Sequence, residues 1–137
     1  MHLIGLMVCK NEEWVLEASL RSALRWVDEL VVVDHESTDG TMSIINRVCE
    51  EFPLRVNYSR WTKTKKEKTF TRYGENGRPL PDGYTREIEI DVPDENYKWW
   101  DEMDGRQHSL ELGRKHGGTH FAIIDADEIM TANAMSF

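Results

Sequence analysis

The stretch Leu30-Val31-Val32-Val33-Asp34-His35-Glu36-Ser37-Thr38-Asp39-Gly40-Thr41 decides the fold of this chain. A short, continuous apolar run is what a strand covered on both faces presents. The run ends at Asp34, and the polar residues after it offer several helix caps. An amphipathic stripe through Ile45, Val48 and Phe52 follows, and Pro53 stops it. Strand, loop and helix therefore succeed one another within a few residues. The same grammar precedes the stretch. Residues 3–8 form another apolar run, and Asn11 is placed to cap a helix with Glu12 and Glu13 in its first turn. Leu16, Leu20, Ala23 and Val27 then recur on one helical face. After Pro53, residues 54–58 alternate like a third strand. The first 59 residues read as a βαβαβ unit, the signature of a parallel α/β sheet.

Residues 60–101 break that rhythm. Pro79, Pro81 and Pro93 and the turn pairs Asn76-Gly77 and Asp82-Gly83 interrupt any helix. Residues 85–92 alternate, with Ile88, Ile90 and Val92 on one face, which predicts a hairpin-like insertion. A weaker helix is expected over 102–115 and a fourth buried strand over 119–124, ending in Asp125-Ala126-Asp127-Glu128. The expected architecture is α/β: one domain over residues 1–137, with a mostly parallel, Rossmann-like sheet flanked by helices and an insertion at about 60–101.

Composition narrows the function. With 17 Lys+Arg against 25 Asp+Glu among 137 residues, the formal net charge is −8, which argues against nucleic acid as a partner. No run is long and apolar enough to cross a bilayer. Cys9 and Cys49 lie inside apolar patterns, so no disulfide framework is expected and a cytoplasmic location fits. Charge is unevenly spread: residues 54–78 carry eight basic and two acidic side chains, net +6, leaving −14 for the rest. That segment reads either as a basic flap over a diphosphate, an anionic acceptor or a membrane surface, or as a solvated edge hairpin whose lysines block strand addition; the second is the preferred reading. Trp99-Trp100 suits stacking on a sugar ring, but anchoring of the insertion or an oligomer contact is the preferred reading of such a pair. His116 and His120, separated by Gly117-Gly118, do not share a helical face and read as ordinary loop and strand residues.

In open parallel sheets, ligands bind beyond the carboxyl ends of the strands. Here those ends deliver Lys10, Asn11 and Glu12, then Asp34, then Asp125 and Asp127. Two carboxylates directly after a buried strand are hard oxygen donors of the kind that hold Mn²⁺ or Mg²⁺ on a diphosphate. Taken alone, the triplet fits a capped strand end with solvated acids equally well.

Three blocks in order change that balance. Leu6-Met7-Val8-Cys9-Lys10-Asn11-Glu12-Glu13 and the stretch quoted first resemble the opening motifs of family-2 glycosyltransferases with the GT-A fold. Phe121-Ala122-Ile123-Ile124-Asp125-Ala126-Asp127-Glu128 resembles that family's metal-binding DxD strand, and Arg106-Gln107 resembles the opening of the preceding helix. The resemblance implies a donor-binding region that takes a nucleotide-diphosphate sugar through a divalent metal and passes the sugar, with inversion, to an unknown glycan, lipid or protein acceptor. It implies nucleotide-sugar contacts from Val8, Cys9, Lys10 and Asn11, partly through their backbone groups, and from Glu12, Asp34, Arg106 and Asp125, with metal ligation by Asp125 and Asp127. His35 stands where many members carry a second acid that reads the base. In the family the general base lies in the acceptor half, well downstream of the DxD, so the chain is expected to be truncated after that strand. Asp101, Glu102 and Asp104 are the local substitutes for such a base. The competing readings are a non-catalytic nucleotide-sugar binding module and a metal-dependent phosphoryl-transfer or nuclease domain, the latter disfavoured by the acidic balance.

Overall fold

The computed structural model describes residues 1–62, 64–94 and 102–129. In chain order the elements are β1 (Leu3–Cys9), α1 (Leu16–Ala23), β2 (Glu29–Asp34), α2 (Thr41–Glu51), β3 (Val56–Arg60), β4 (Thr64–Thr71), β5 (Arg86–Pro93), α3 (Glu102–Lys115) and β6 (His120–Asp125). They fall into two compact units, Met1–Trp61 with Trp100–Phe137, and Thr62–Trp99.

The larger unit holds a four-stranded parallel sheet in the order β3-β2-β1-β6. From β1 the chain steps outward through β2 to β3, and β6 then joins the opposite side of β1. The strand order therefore reverses between β1 and β6, where open α/β sheets form their ligand crevice. The continuous apolar runs follow from burial on both faces. Leu30 and Val32 pack with Met7, Leu16, Leu20, Ile45 and Val48 in one core cluster. Val31 and Val33 join Ile4 and Leu6 in the other, against Leu110, Leu112 and Phe121. Helices α1 and α2 thus lie on one face and α3 on the other. Gly5, in the central strand, lets Leu30 and Ile124 close over β1; a Cβ there would meet their methyl groups at 2.6 and 2.9 Å.

Three local expectations are corrected. Asn11 does not cap α1: that helix begins at Leu16 after Val15 and has no side-chain cap. Asn11 instead adopts a left-handed backbone, φ 54°, with its side chain bound to the β2–α2 loop. The third strand runs two residues later than the alternation suggested. Leu54 and Arg55 form a turn after α2, with Leu54 exposed, and the Arg55 carbonyl accepts the Leu30 N–H. The fourth strand is shifted by one residue and reaches Asp125.

The smaller unit is the antiparallel hairpin β4–β5. Its register places Ile88, Ile90 and Val92 opposite Thr69, Glu67 and Lys65 on one face, as their alternation requires. The lysines of β4 meet the acids of β5: Lys66 stands opposite Asp91, Lys68 opposite Glu89, and Lys68 also pairs with Glu87 at 2.8 Å. Lys65 pairs with Glu67 and Arg86 with Glu75. The strand that follows thus offsets part of the basic character of residues 54–78, its three acids and one arginine giving −2 against +6, and the paired charges fit the solvated-hairpin reading. No helix among the described residues is long and apolar enough to cross a membrane.

Candidate functional site

Two loops at the carboxyl edge of the sheet are fastened to each other. The Asn11 N–H donates to Ser37 Oγ at 2.9 Å, and Asn11 Oδ1 accepts the Thr38 N–H at 2.8 Å. The Glu12 N–H donates to Thr41 Oγ1 at 2.9 Å, and the Glu13 carboxylate accepts the Gly40 N–H at 2.6 Å. A carboxylate at Gly40 also complements the N-terminal end of α2. Ser37 and Thr41, which read in sequence only as cap candidates, therefore hold the β1–α1 loop in place.

Beside this junction, at the β1–β6 switch point, lies an open cavity of about 370 Å³. Val8, Lys10 and Glu12 line it from the end of β1, Asp125, Ala126 and Asp127 from the end of β6, and Glu102 and Arg106 from α3. Six of the eight residues named from sequence or resemblance for nucleotide-sugar or metal contacts outside the β2 end, Cys9 and Asn11 apart, are thereby brought to one crevice. Arg106 is its hub: its guanidinium bonds Asp125 Oδ1 at 2.6 Å and Glu102 Oε1 at 2.8 Å. The hydrogen bond to Asp125, and then that to Glu102, push the guanidinium pKa further up and keep it charged. Glu102, named as a substitute base, is an ion-pair partner of Arg106 in this arrangement.

The turn after β6 is built to present its acids. Glu128 Oε2 accepts the Asp125 N–H, and the Glu128 N–H returns to the Asp125 carbonyl. The buried Ser19 hydroxyl of α1 donates to the Glu128 carbonyl at 2.7 Å. Glu128 is thus a turn cap. No sequence signal singled out Ser19; a small polar residue on the buried face of an amphipathic helix is the feature that points to it.

The lining holds two cationic side chains, Lys10 and Arg106, against four carboxylates, Glu12, Glu102, Asp125 and Asp127. A net −2 repels a diphosphate unless a cation accompanies it. Asp125 and Asp127 are exposed carboxylates and fit Mg²⁺ or Mn²⁺, which take few protein ligands and complete their shell with water and phosphate oxygens. Among the described residues no three His, Cys, Asp or Glu side chains cluster to enclose a metal.

Cys9, Asn11 and Asp34 do not line the crevice. The Cys9 thiol is buried against the Val33 carbonyl, and burial raises its pKa far above the usual thiol range. The Asp34 side chain is 0% exposed and takes the Ser37 N–H at 3.1 Å and the Ser37 hydroxyl. Its neighbour His35 is buried, with its ring 4.7 Å from that of Trp61 and Nδ1 3.3 Å from Lys10 Nζ. His116 lies 3.9 Å from Glu29, and His120 contacts Thr119. Trp99, Trp100 and Asp101 lie outside the described residues.

Burial, and then the Lys10 ammonium, lower the His35 pKa below 6.5, against the opposing pull of Glu36 and Asp34. The unfolded chain therefore takes up this proton first as pH falls, and the folded state loses stability below about pH 6.5. Above that pH the group contributes no slope. Between about pH 7 and pH 5, the thermal midpoint of His35→Gln is expected to fall less than that of the unsubstituted protein; equal slopes would remove His35 as the cause.

Residues 6–69 match the sequence model of Glycosyl transferase family 2. This segment is family-2 glycosyltransferase sequence. The parallel sheet agrees: the crystal structure of S. aureus TarS, residues 1–349 in complex with UDP, superimposes with a TM-score of 0.53 at 17% identity. The match covers 93% of this chain and 28% of the TarS chain, and at that identity it shows the GT-A fold. No curated protein matches the chain. In this GT-A sheet, the family-2 match covers both fastened loops, while the acids after β6 lie beyond it.

Proposed function

We propose that this chain is the donor-binding part of a glycosyltransferase that takes a nucleotide-diphosphate sugar with Mn²⁺ or Mg²⁺ and transfers the sugar with inversion. The observation that carries this reading is the meeting of Lys10, Glu12, Arg106, Asp125 and Asp127 in one crevice at the switch point of the sheet. The family-2 match supports it, as does the UDP in the similar TarS structure.

Asp125 and Asp127 would hold the cation against the diphosphate. Bound there, it would neutralise charge on the departing nucleoside diphosphate. Arg106 would lend its guanidinium to phosphate oxygens, and Glu102 and Asp125 keep it aimed into the crevice. Lys10, on the β1 side, supplies a second positive charge whose direction is steadied by His35. A general base for the acceptor hydroxyl on the opposite face of the sugar completes the reaction; none is assigned to the described residues.

Incubation of the purified protein with UDP-sugars and Mn²⁺ tests the reading. Metal-dependent release of UDP, with water taking the sugar in place of the acceptor hydroxyl, is the expected result. Tight binding of UDP without release would favour a non-catalytic binding module, and cleavage of DNA or RNA would favour the phosphoryl-transfer reading.

A further inference from the structure

The resemblance assigns Asp34 and Asn11 to nucleotide contact, yet the structure commits both side chains elsewhere. Asp34 is wholly buried, and its two oxygens take the N–H and the hydroxyl of Ser37. With its own proton given to Asp34, Ser37 Oγ accepts the Asn11 N–H. Asn11 in turn spends its Oδ1 on the N–H of Thr38, the residue after Ser37 in the same loop. A buried anion polarises such a chain and strengthens each bond in it. At the end of the chain is a non-glycine residue at φ 54°, a region L side chains avoid unless local bonds hold them there. The residues on either side of it, Lys10 and Glu12, both line the crevice.

We propose that Asp34, Ser37 and Asn11 form a positioning relay: the buried carboxylate fixes Ser37, Ser37 and Thr38 hold Asn11 in its left-handed turn, and that turn aims Lys10 and Glu12 at the donor, with neither Asp34 nor Asn11 touching the nucleotide. This rests on the donor-binding reading above. Its chemistry differs from a ligand role in one decisive way: the backbone conformation at Asn11 matters, and its side-chain amide matters only through Thr38. Glycine adopts φ near 54° freely, whereas alanine does not.

The test compares Asn11→Ala with Asn11→Gly by calorimetric titration of UDP in the presence of Mn²⁺, well below the thermal midpoint of each variant. Asn11→Ala is expected to weaken UDP by about tenfold, and Asn11→Gly by less than about threefold. A purely structural role would move the thermal midpoints of the variants and leave affinity alone. Equal weakening by both substitutions would make the side-chain amide a nucleotide contact and overturn the relay, as would unchanged affinity in Asn11→Ala. Amide hydrogen exchange supplies a readout that needs no ligand. In Asn11→Ala, and in Ser37→Ala, protection at Glu12 and Thr38 is expected to fall while the β2 amides of Val31 to Val33 keep theirs; unchanged protection at Glu12 and Thr38 overturns the relay. Should the unsubstituted protein fail to bind UDP with Mn²⁺, the donor-binding reading falls, and the exchange rates alone then decide whether the relay holds the turn.

Discussion

Leu20→Ala is expected to lower the free energy of unfolding by about 2–5 kcal/mol, a large part of the roughly 5–15 kcal/mol that holds an ordinary domain together. Leu20 is 0% exposed and lies in the larger core cluster, where α1 packs with β1 and β2. Removing its branched end leaves a cavity that a parallel sheet, covered on both faces, cannot easily collapse to fill. The effect extends to the crevice, because the residue before Leu20 on α1 is Ser19, whose hydroxyl anchors the turn that presents Asp125 and Asp127. Urea unfolding of the variant beside the unsubstituted protein measures the loss; a change below about 1 kcal/mol would mean that α1 is not packed as described.

Asp127→Ala is expected to weaken UDP binding in the presence of Mn²⁺ by more than about a hundredfold, since even indirect partners of a metal ligand carry up to that factor. Asp127 is the freer of the two acids. Asp125 is tied to Arg106, whereas Asp127 lines the crevice as an exposed side chain in the turn after β6. Its loss also leaves Asp125 as the one remaining carboxylate of the pair. Because Asp127 is exposed, the substitution is not expected to change stability, so a fall in affinity reports on the site itself. Affinity equal to that of the unsubstituted protein would remove Asp127 from the metal assignment.

The parallel sheet was legible because its strands are buried on both faces, which writes them as continuous apolar runs such as Leu30 to Val33. The crevice was legible because polar residues follow those runs directly, at Lys10 to Glu12 and at Asp125 to Asp127. Where the reading drifted, a side chain had a distant partner. Asn11 looks like a helix cap to its neighbours in sequence, but Thr38, 27 residues on, claims its oxygen first. Leu54 alternates with Val56 and yet stays 87% exposed, because the turn after α2 places it outside the sheet. Asp34 sits at the carboxyl edge where ligands bind, and only the folded chain shows Ser37 closing over it. The solvated hairpin was the preferred reading of the basic run of residues 54–78, and what only the folded chain adds is the register that brings acids of β5 opposite two of its lysines.

The central claim is that the crevice between β1 and β6 takes a nucleoside diphosphate together with a divalent cation. Titration of UDP into the purified protein, once with Mn²⁺ and once with EDTA, tests it most directly. Saturable binding with Mn²⁺ that disappears in EDTA is the predicted result; binding of equal strength in both, or none in either, would contradict it.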